Sequence, residues 1–255
     1  MSESLDQPIE VPELTADEIQ ARVLHRDGLM LVVDKPCGLP VHRGPKGGAN
    51  LETSFDHLRF GLPRPPVLAH RLDKDTSGCL VLGRHRKATA SLGLLFKHGK
   101  ISKTYWAVVE GGPAEDEGTI DMPLGRLNAE RGWWQKPDAD GQPAVTNWKV
   151  LGRGDGLAWL ALEPVTGRTH QLRAHMAHID HAIVGDPKYF NKENWQLPGG
   201  LQKRLHLLAR RIVIPHPRGG VIDATAPLPP HMQQSWNLLG LEADRFDPIE
   251  NAPEE

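Results

Sequence analysis

Apolar residues fall along this chain in short runs divided by glycine, proline and charge. Leu29–Val33, Cys79–Leu82, Thr104–Glu110, Ala144–Leu151, Leu157–Leu162 and Arg211–Ile214 carry such runs and read as strands. Tyr105, Ala107 and Val109 alternate with Trp106, Val108 and Glu110, the two-residue period of a sheet. Helical spacing is weaker. Lys87–Lys97 places Leu92, Leu95 and Phe96 on one side, Thr169–His178 places Leu172 and Met176 four apart, and Pro230–Leu239 predicts a short C-terminal helix. Strands mostly follow one another, with helices scattered between them. That order predicts an α+β fold around a mixed, largely antiparallel central sheet with flanking helices, not a doubly wound one. Segments 126–143 and 190–204 are rich in Gly, Pro, Asn, Lys and Trp and read as surface insertions at the mouth of a cleft.

Composition narrows the class. With 39% hydrophobic and 24% charged residues, the 255-residue chain suits a soluble globular protein. No apolar run approaches the roughly 20 residues that span a bilayer, and the acidic N-terminus lacks the basic flank of a secretory signal. The two cysteines, Cys37 and Cys79, do not suggest a disulfide framework, and a reducing cytoplasm is the expected compartment. The net charge of −2 hides an uneven distribution. Residues 1–20 hold six acidic groups and no basic ones, and residues 241–255 hold six acidic groups and Arg245. Residues 21–240 keep 29 basic against 20 acidic groups. A basic body fits a polyanionic partner, since each neutralised phosphate releases condensed counterions. The division expected is an acidic, partly disordered segment 1–20, a catalytic domain 21–240 and an acidic tail 241–255.

The densest chemistry lies in His70-Arg71-Leu72-Asp73-Lys74-Asp75-Thr76-Ser77-Gly78, directly before the apolar run Cys79–Leu82. A loop held at the start of a buried strand can aim a carboxylate at a substrate. This segment resembles the catalytic loop of the RluA-type pseudouridine synthases, His-Arg-Leu-Asp-x-x-Thr-Ser-Gly, once Lys74 and Asp75 fill the variable positions. Four further pieces share the resemblance in the family's order. They are Leu31–His42 with Asp34-Lys35-Pro36-Cys37-Gly38, Ile101–Gly111 with Lys103-Thr104-Tyr105-Trp106-Ala107, Thr166–Met176, and Gly185-Asp186-Pro187-Lys188-Tyr189. The resemblance covers roughly residues 22 to 217.

It implies the pseudouridine-synthase fold with an RNA-binding cleft, and the isomerisation of specific uridines in a structured RNA, a transfer or ribosomal stem-loop. It also implies Asp73 as the catalytic carboxylate, Tyr105 stacked on uracil and Arg173 as the ion-pair partner that keeps Asp73 ionised. Arg71 would fill the space of the flipped base, and His70 would order the loop. Leu172 would pack near the base, and Arg168 and His170 would either contact RNA or support their own loop. From the residues alone, Asp73 equally suits a turn cap. Covalent addition by the carboxylate and removal of a sugar proton are both chemically open. No cofactor or metal is implied, and a monomer suffices.

Three rivals are weaker. A zinc site at His170, His175, His178 and His181 lacks a helical zinc spacing and has no nearby cysteine. A glycoside or nucleoside hydrolase needs two carboxylates with distinct roles, and one stands in a full motif here. A silent RNA binder would have lost Asp73, Tyr105 or Arg173. Departures from the family pattern are mild: Asp180-His181-Ala182-Ile183 replaces Gly-His-Pro-Ile, and Leu205-His206-Leu207 replaces a Leu-His-Ala run.

Overall fold

In the computed structural model, which describes residues 13–44, 47–127, 134–190 and 200–243, helical structure begins inside the acidic N-terminal stretch. Helix α1 (Ala16–Ala21) starts with a capping box. The Thr15 hydroxyl accepts the Glu18 N–H at 3.3 Å, and the Glu18 carboxylate accepts the Thr15 N–H at 2.8 Å. That exchange satisfies donors which a helix start otherwise leaves open. Ile19 is fully buried, so the folded chain starts before residue 21, where the sequence placed its boundary. Six residues hold too little periodicity to reveal such a helix. Residues 1–12 and 244–255, most of the two acidic ends, lie outside the described residues.

The chain divides into two compact units, Met1–His98 and Gly99–Glu255. In the first unit, β4 (Ser77–Gly83) is the central strand and all seven of its residues are buried. It pairs antiparallel with β2 (Met30–Lys35) and with the short β3 (Val67–Leu68). Strand β1 (Val23–Arg26) pairs antiparallel with β2. A 3-10 helix, Leu51–Leu58, follows β2, and helix α2 (Arg86–Lys97) follows β4.

The second unit is a sheet in the order β12-β11-β5-β10-β9-β6. Its strands are β5 (Ser102–Glu110), β6 (Glu117–Asp121), β9 (Val145–Gly154), β10 (Leu157–Pro164), β11 (Leu207–Pro215) and β12 (Val221–Thr225). Every pairing among them is antiparallel. Strands β7 (Leu124–Arg126) and β8 (Gln135–Pro137) form a separate antiparallel pair. The central strands are covered on both faces. Ala107, Leu160 and Leu162 pack with Leu172 and Met176 of helix α3 (Gln171–His178). The alternate residues Trp106 and Trp159 meet Trp236 of helix α4 (Pro230–Leu238), with Trp159 ring centroids 4.6 Å from Trp106 and 5.0 Å from Trp236. Burial on both faces explains why β5 and β10 read as nearly continuous apolar runs.

The six predicted strands and three predicted helices are all present, with shifted ends. The edge strands β6 and β12 escaped the sequence because each buries one residue, Ile120 and Ala224. A strand buried at one position shows no alternation.

Candidate active site

The Asp73 loop joins β3 to β4 in the first unit. Its backbone is tied down on both sides. The Ala69 N–H donates to the Val81 carbonyl at 3.0 Å, and the His70 Nε2 accepts the Val81 N–H at 3.0 Å. Accepting at Nε2 requires the proton on Nδ1. The imidazole also stacks on Phe96 with centroids 4.3 Å apart. His70 therefore shapes this loop.

Asp73 opens a turn in which its carbonyl accepts the Thr76 N–H at 3.2 Å. The turn rests on the end of β2. The Lys74 carbonyl accepts the Gly38 N–H at 3.0 Å and the Lys35 ammonium at 2.8 Å. Lys35 Nζ also donates to the Pro36 carbonyl at 2.7 Å, and the Cys37 thiol donates to the Asp75 carbonyl at 3.1 Å.

Lys35 is fully buried. Burial pushes its pKa down to about 8, against the opposing pull of Cys37, Asp75, Asp73 and Asp34. Beside it, burial pushes Asp34 up to about 6, although Arg22 and Lys35 draw it down and Arg22 Nη1 lies 3.0 Å away. Sequence reasoning quoted Lys35 within a motif and gave it no role. Arg71 is exposed and pairs with no acid among the described residues, so its guanidinium is available to a ligand.

In the second unit, Tyr105 lies on β5 opposite Leu162 of β10 and Ala209 of β11. It is half-buried and packs against the cluster that contains Leu172 and Met176. Leu172 is 7% exposed and belongs to that core. Helix α3 is anchored at its first residue. The Gln171 Oε1 accepts the Thr166 hydroxyl at 2.7 Å and the Arg168 N–H at 3.0 Å. The Gln171 Nε2 donates to the Val145 carbonyl at 2.9 Å and the Thr146 hydroxyl at 3.0 Å. His170 precedes the helix in a left-handed conformation, φ 52°, which costs a non-glycine residue energy and needs surrounding support. Here that support is the Tyr189 hydroxyl, 2.9 Å from His170 Nδ1. His170 is buried and holds its own loop, whereas Arg168 is exposed.

Arg173 is 2% exposed. Its Nε donates to Asp186 Oδ2 at 2.8 Å and its Nη2 to Asp186 Oδ1 at 2.7 Å. Asp186 Oδ1 also accepts the Lys188 and Tyr189 N–H groups at 2.8 and 3.3 Å. The Tyr189 ring lies 5.4 Å from the Arg173 guanidinium carbon, within cation–π range. Gly185 has φ 72°, and a Cβ there would collide with the Arg204 carbonyl, so a glycine is needed to turn the chain into Asp186. The resemblance implies Asp73 as the partner of Arg173 and gives no role to Asp186, although Gly185-Asp186 stands in one of the motifs that carry it.

Of the histidines weighed as a zinc site, His170, His175 and His181 are engaged locally. The His175 ring nitrogens lie 2.9 Å from the Thr146 hydroxyl and from the Met122 carbonyl. His181 Nδ1 lies 3.0 Å from the Glu110 carbonyl. No metal-ligating group of three occurs among the described residues, and no described helix is long and apolar enough to cross a membrane.

Comparison with known proteins agrees with the motifs. Residues 29–178 match the model of the RNA pseudouridylate synthase family. An RNA pseudouridine synthase of Zymomonas mobilis, described as uncharacterized, is 41% identical over 82% of this chain and 94% of its own length. The ribosomal large subunit pseudouridine synthase D of Pseudomonas aeruginosa is 34% identical over 92% of this chain and 76% of its own. The solved structure of human RNA pseudouridylate synthase domain containing 4 superposes with a TM-score of 0.75 at 29% identity, covering 89% of this chain and 96% of that one. Motifs, fold and relatives agree that this chain belongs to the RluA-type RNA pseudouridine synthases, the isomerases that convert uridine in RNA to pseudouridine.

Proposed function

We propose that this enzyme isomerises specific uridines in a structured RNA, transfer or ribosomal, with Asp73 as its catalytic carboxylate. The observation that carries the reading is the fixed turn at Asp73, pinned through Lys74 and Asp75 to Lys35, Cys37 and Gly38. Rigid support is what a reacting carboxylate requires, since small errors of position cost rate. Tyr105 stacks on the uracil and Arg71 replaces the flipped base in the stack, a task suited to a planar cation. Arg173 supplies a buried cation to the site. Asp186 takes the Nε and Nη2 side of its guanidinium and so fixes the direction in which that cation is presented.

All of these groups come from one chain, and the reading is of a monomer. A content of only two cysteines, Cys37 and Cys79, suits a reducing cytoplasm. Relatives named for the large ribosomal subunit make ribosomal RNA the first substrate to test.

Isomerisation breaks the ribose bond to uracil nitrogen, forms one to carbon five, releases the carbon-five hydrogen to solvent as a proton and leaves a proton on the freed nitrogen. Tritium release from RNA labelled there therefore reports the reaction. Wild type should release tritium, and Asp73→Asn should release none while still binding the RNA. Full activity in Asp73→Asn would remove Asp73 from catalysis, and free uracil as product would favour hydrolysis.

A further inference from the structure

The second unit carries a polar cleft of about 350 Å³ that the assigned site residues, Arg168 apart, do not use. Its volume lies in the range of small-ligand sites. Three segments build it: the β7–β8 pair, the turn Asp140–Gln142 and the loop Gly167–Thr169.

The walls are rigid. Leu124 and Gln142 exchange backbone hydrogen bonds at 2.9 Å, and the Asp138 N–H donates to the Pro123 carbonyl at 3.0 Å. A Cβ on Gly125 would collide with Asp138, and one on Gly141 with the Leu124 backbone. Gly141 therefore lies against the Leu124 backbone, where glycine is required, and Gly125 lies against the Asp138 side chain.

The lining is chemically mixed. Arg168 Nε donates to the Pro143 carbonyl at 2.9 Å, which fixes the guanidinium and leaves both Nη groups to a ligand. Neither Arg168 nor Arg126 pairs with an acid among the described residues, and no described residue bonds the side-chain amides of Gln135 and Gln142. Asp140 stands in the same lining. A lone phosphate would be repelled by that carboxylate. Amide and carboxylate groups pair with the edge of a base, while arginines take its phosphate or stack on its plane.

The cleft is also close in sequence to the candidate site. Gly167–Thr169 runs directly into His170 and α3, and Arg168 lies five residues before Arg173. A chain of five residues spans at most about 18 Å, so one RNA strand can occupy both places.

We propose that this cleft is a second nucleotide subsite, taking one unstacked nucleotide that flanks the isomerised uridine, with Gln135 and Gln142 on the base and Arg126 and Arg168 on its phosphate. The proposal rests on the RNA isomerase reading and adds a source of substrate choice to it.

The test uses the full chain and the double substitution Arg126→Ala with Gln142→Ala, both exposed positions. Tritium release is measured on carbon-five-labelled RNA from cells that lack this enzyme. Losing contacts to one base should raise KM about tenfold with kcat unchanged within about twofold. Once the target uridine is mapped, a synthetic RNA carries an abasic residue at each flanking position in turn. One abasic position should cost wild type about tenfold in kcat/KM and cost the double variant almost nothing, since contacting groups are not additive. An unchanged KM, or an abasic penalty that persists in the variant, would overturn the subsite while leaving the isomerase reading intact. Absence of tritium release by wild type would instead overturn the isomerase reading, and the subsite with it. The abasic scan on wild type stands on its own if the variant melts early: no sensitive flanking position means no subsite.

Discussion

Asp186 holds Arg173 by a two-point grip inside the second unit, with N···O distances of 2.7 and 2.8 Å and both side chains almost fully buried. Paired donors on a planar cation fix both its position and its plane. Asp186 is itself held by the Lys188 and Tyr189 N–H groups. The Arg173 guanidinium is thus oriented by the Gly185–Tyr189 turn.

Removing the charge of Asp186 strips the buried Arg173 guanidinium of its two-point partner. Asp186→Asn should therefore lower unfolding free energy by about 3–5 kcal/mol, read as an earlier urea midpoint. Tritium release at a temperature where the variant is still folded should fall at least tenfold. Normal release would show that the Arg173 orientation does not matter to the reaction.

Lys35 tests the support of the Asp73 turn. Lys35→Met keeps the volume but deletes the hydrogen bonds to Pro36 and Lys74. The Lys74 carbonyl retains Gly38, so stability should change by only about 1–3 kcal/mol, while kcat falls more than tenfold. Since the pKa of Lys35 is pushed down to about 8, wild-type kcat should decline as pH rises through that value. The variant should lack this decline. An identical alkaline limb in both would assign it to another group.

His206 links stability to acid. It is fully buried, its Nδ1 lies 2.7 Å from the Arg204 carbonyl and its Nε2 2.6 Å from the Ser235 hydroxyl. Burial, with His231 nearby, pushes its pKa down to about 4. Between that value and the ordinary one the unfolded chain binds the extra proton, so stability should be lost as pH falls from about 6.5 toward 4. Asp34, pushed up to about 6, acts oppositely over the pH range between its ordinary value and 6, where rising pH costs stability. Urea midpoints of wild type and His206→Gln at pH 5 and 7 separate the two. The variant should show a smaller loss at pH 5, and an equal loss would clear His206.

Removing residues 1–20 deletes most of α1, including the fully buried Ile19. The sequence alone set residues 1–20 outside the catalytic domain. With α1 in place, it should lower the melting temperature, and Ile19→Ala alone should cost about 2–5 kcal/mol. An unchanged melting temperature after the deletion would show that α1 adds nothing to the fold.

Much of the architecture was legible in advance. The central strands could be read because burial on both faces demands unbroken apolar runs, as in Cys79–Leu82 and Leu157–Leu162. Helices α2, α3 and α4 could be read from spacing and from the proline that opens the last. Strands β6 and β12 could not, because edges bury too little to leave a pattern. The family and its candidate carboxylate were legible because a catalytic loop packs its chemistry into a contiguous segment.

The family, the α+β class and the main strands could be read from the chain alone, and so could Asp73, Tyr105 and Arg173 as candidates. Tertiary structure alone decided how those groups are held. Lys35 meets the Lys74 carbonyl across 39 residues, and Arg173 meets Asp186 across 13. Local preference and periodicity act over a few residues, whereas the partner of a buried charge is chosen by which distant segment the packed core brings within hydrogen-bond reach.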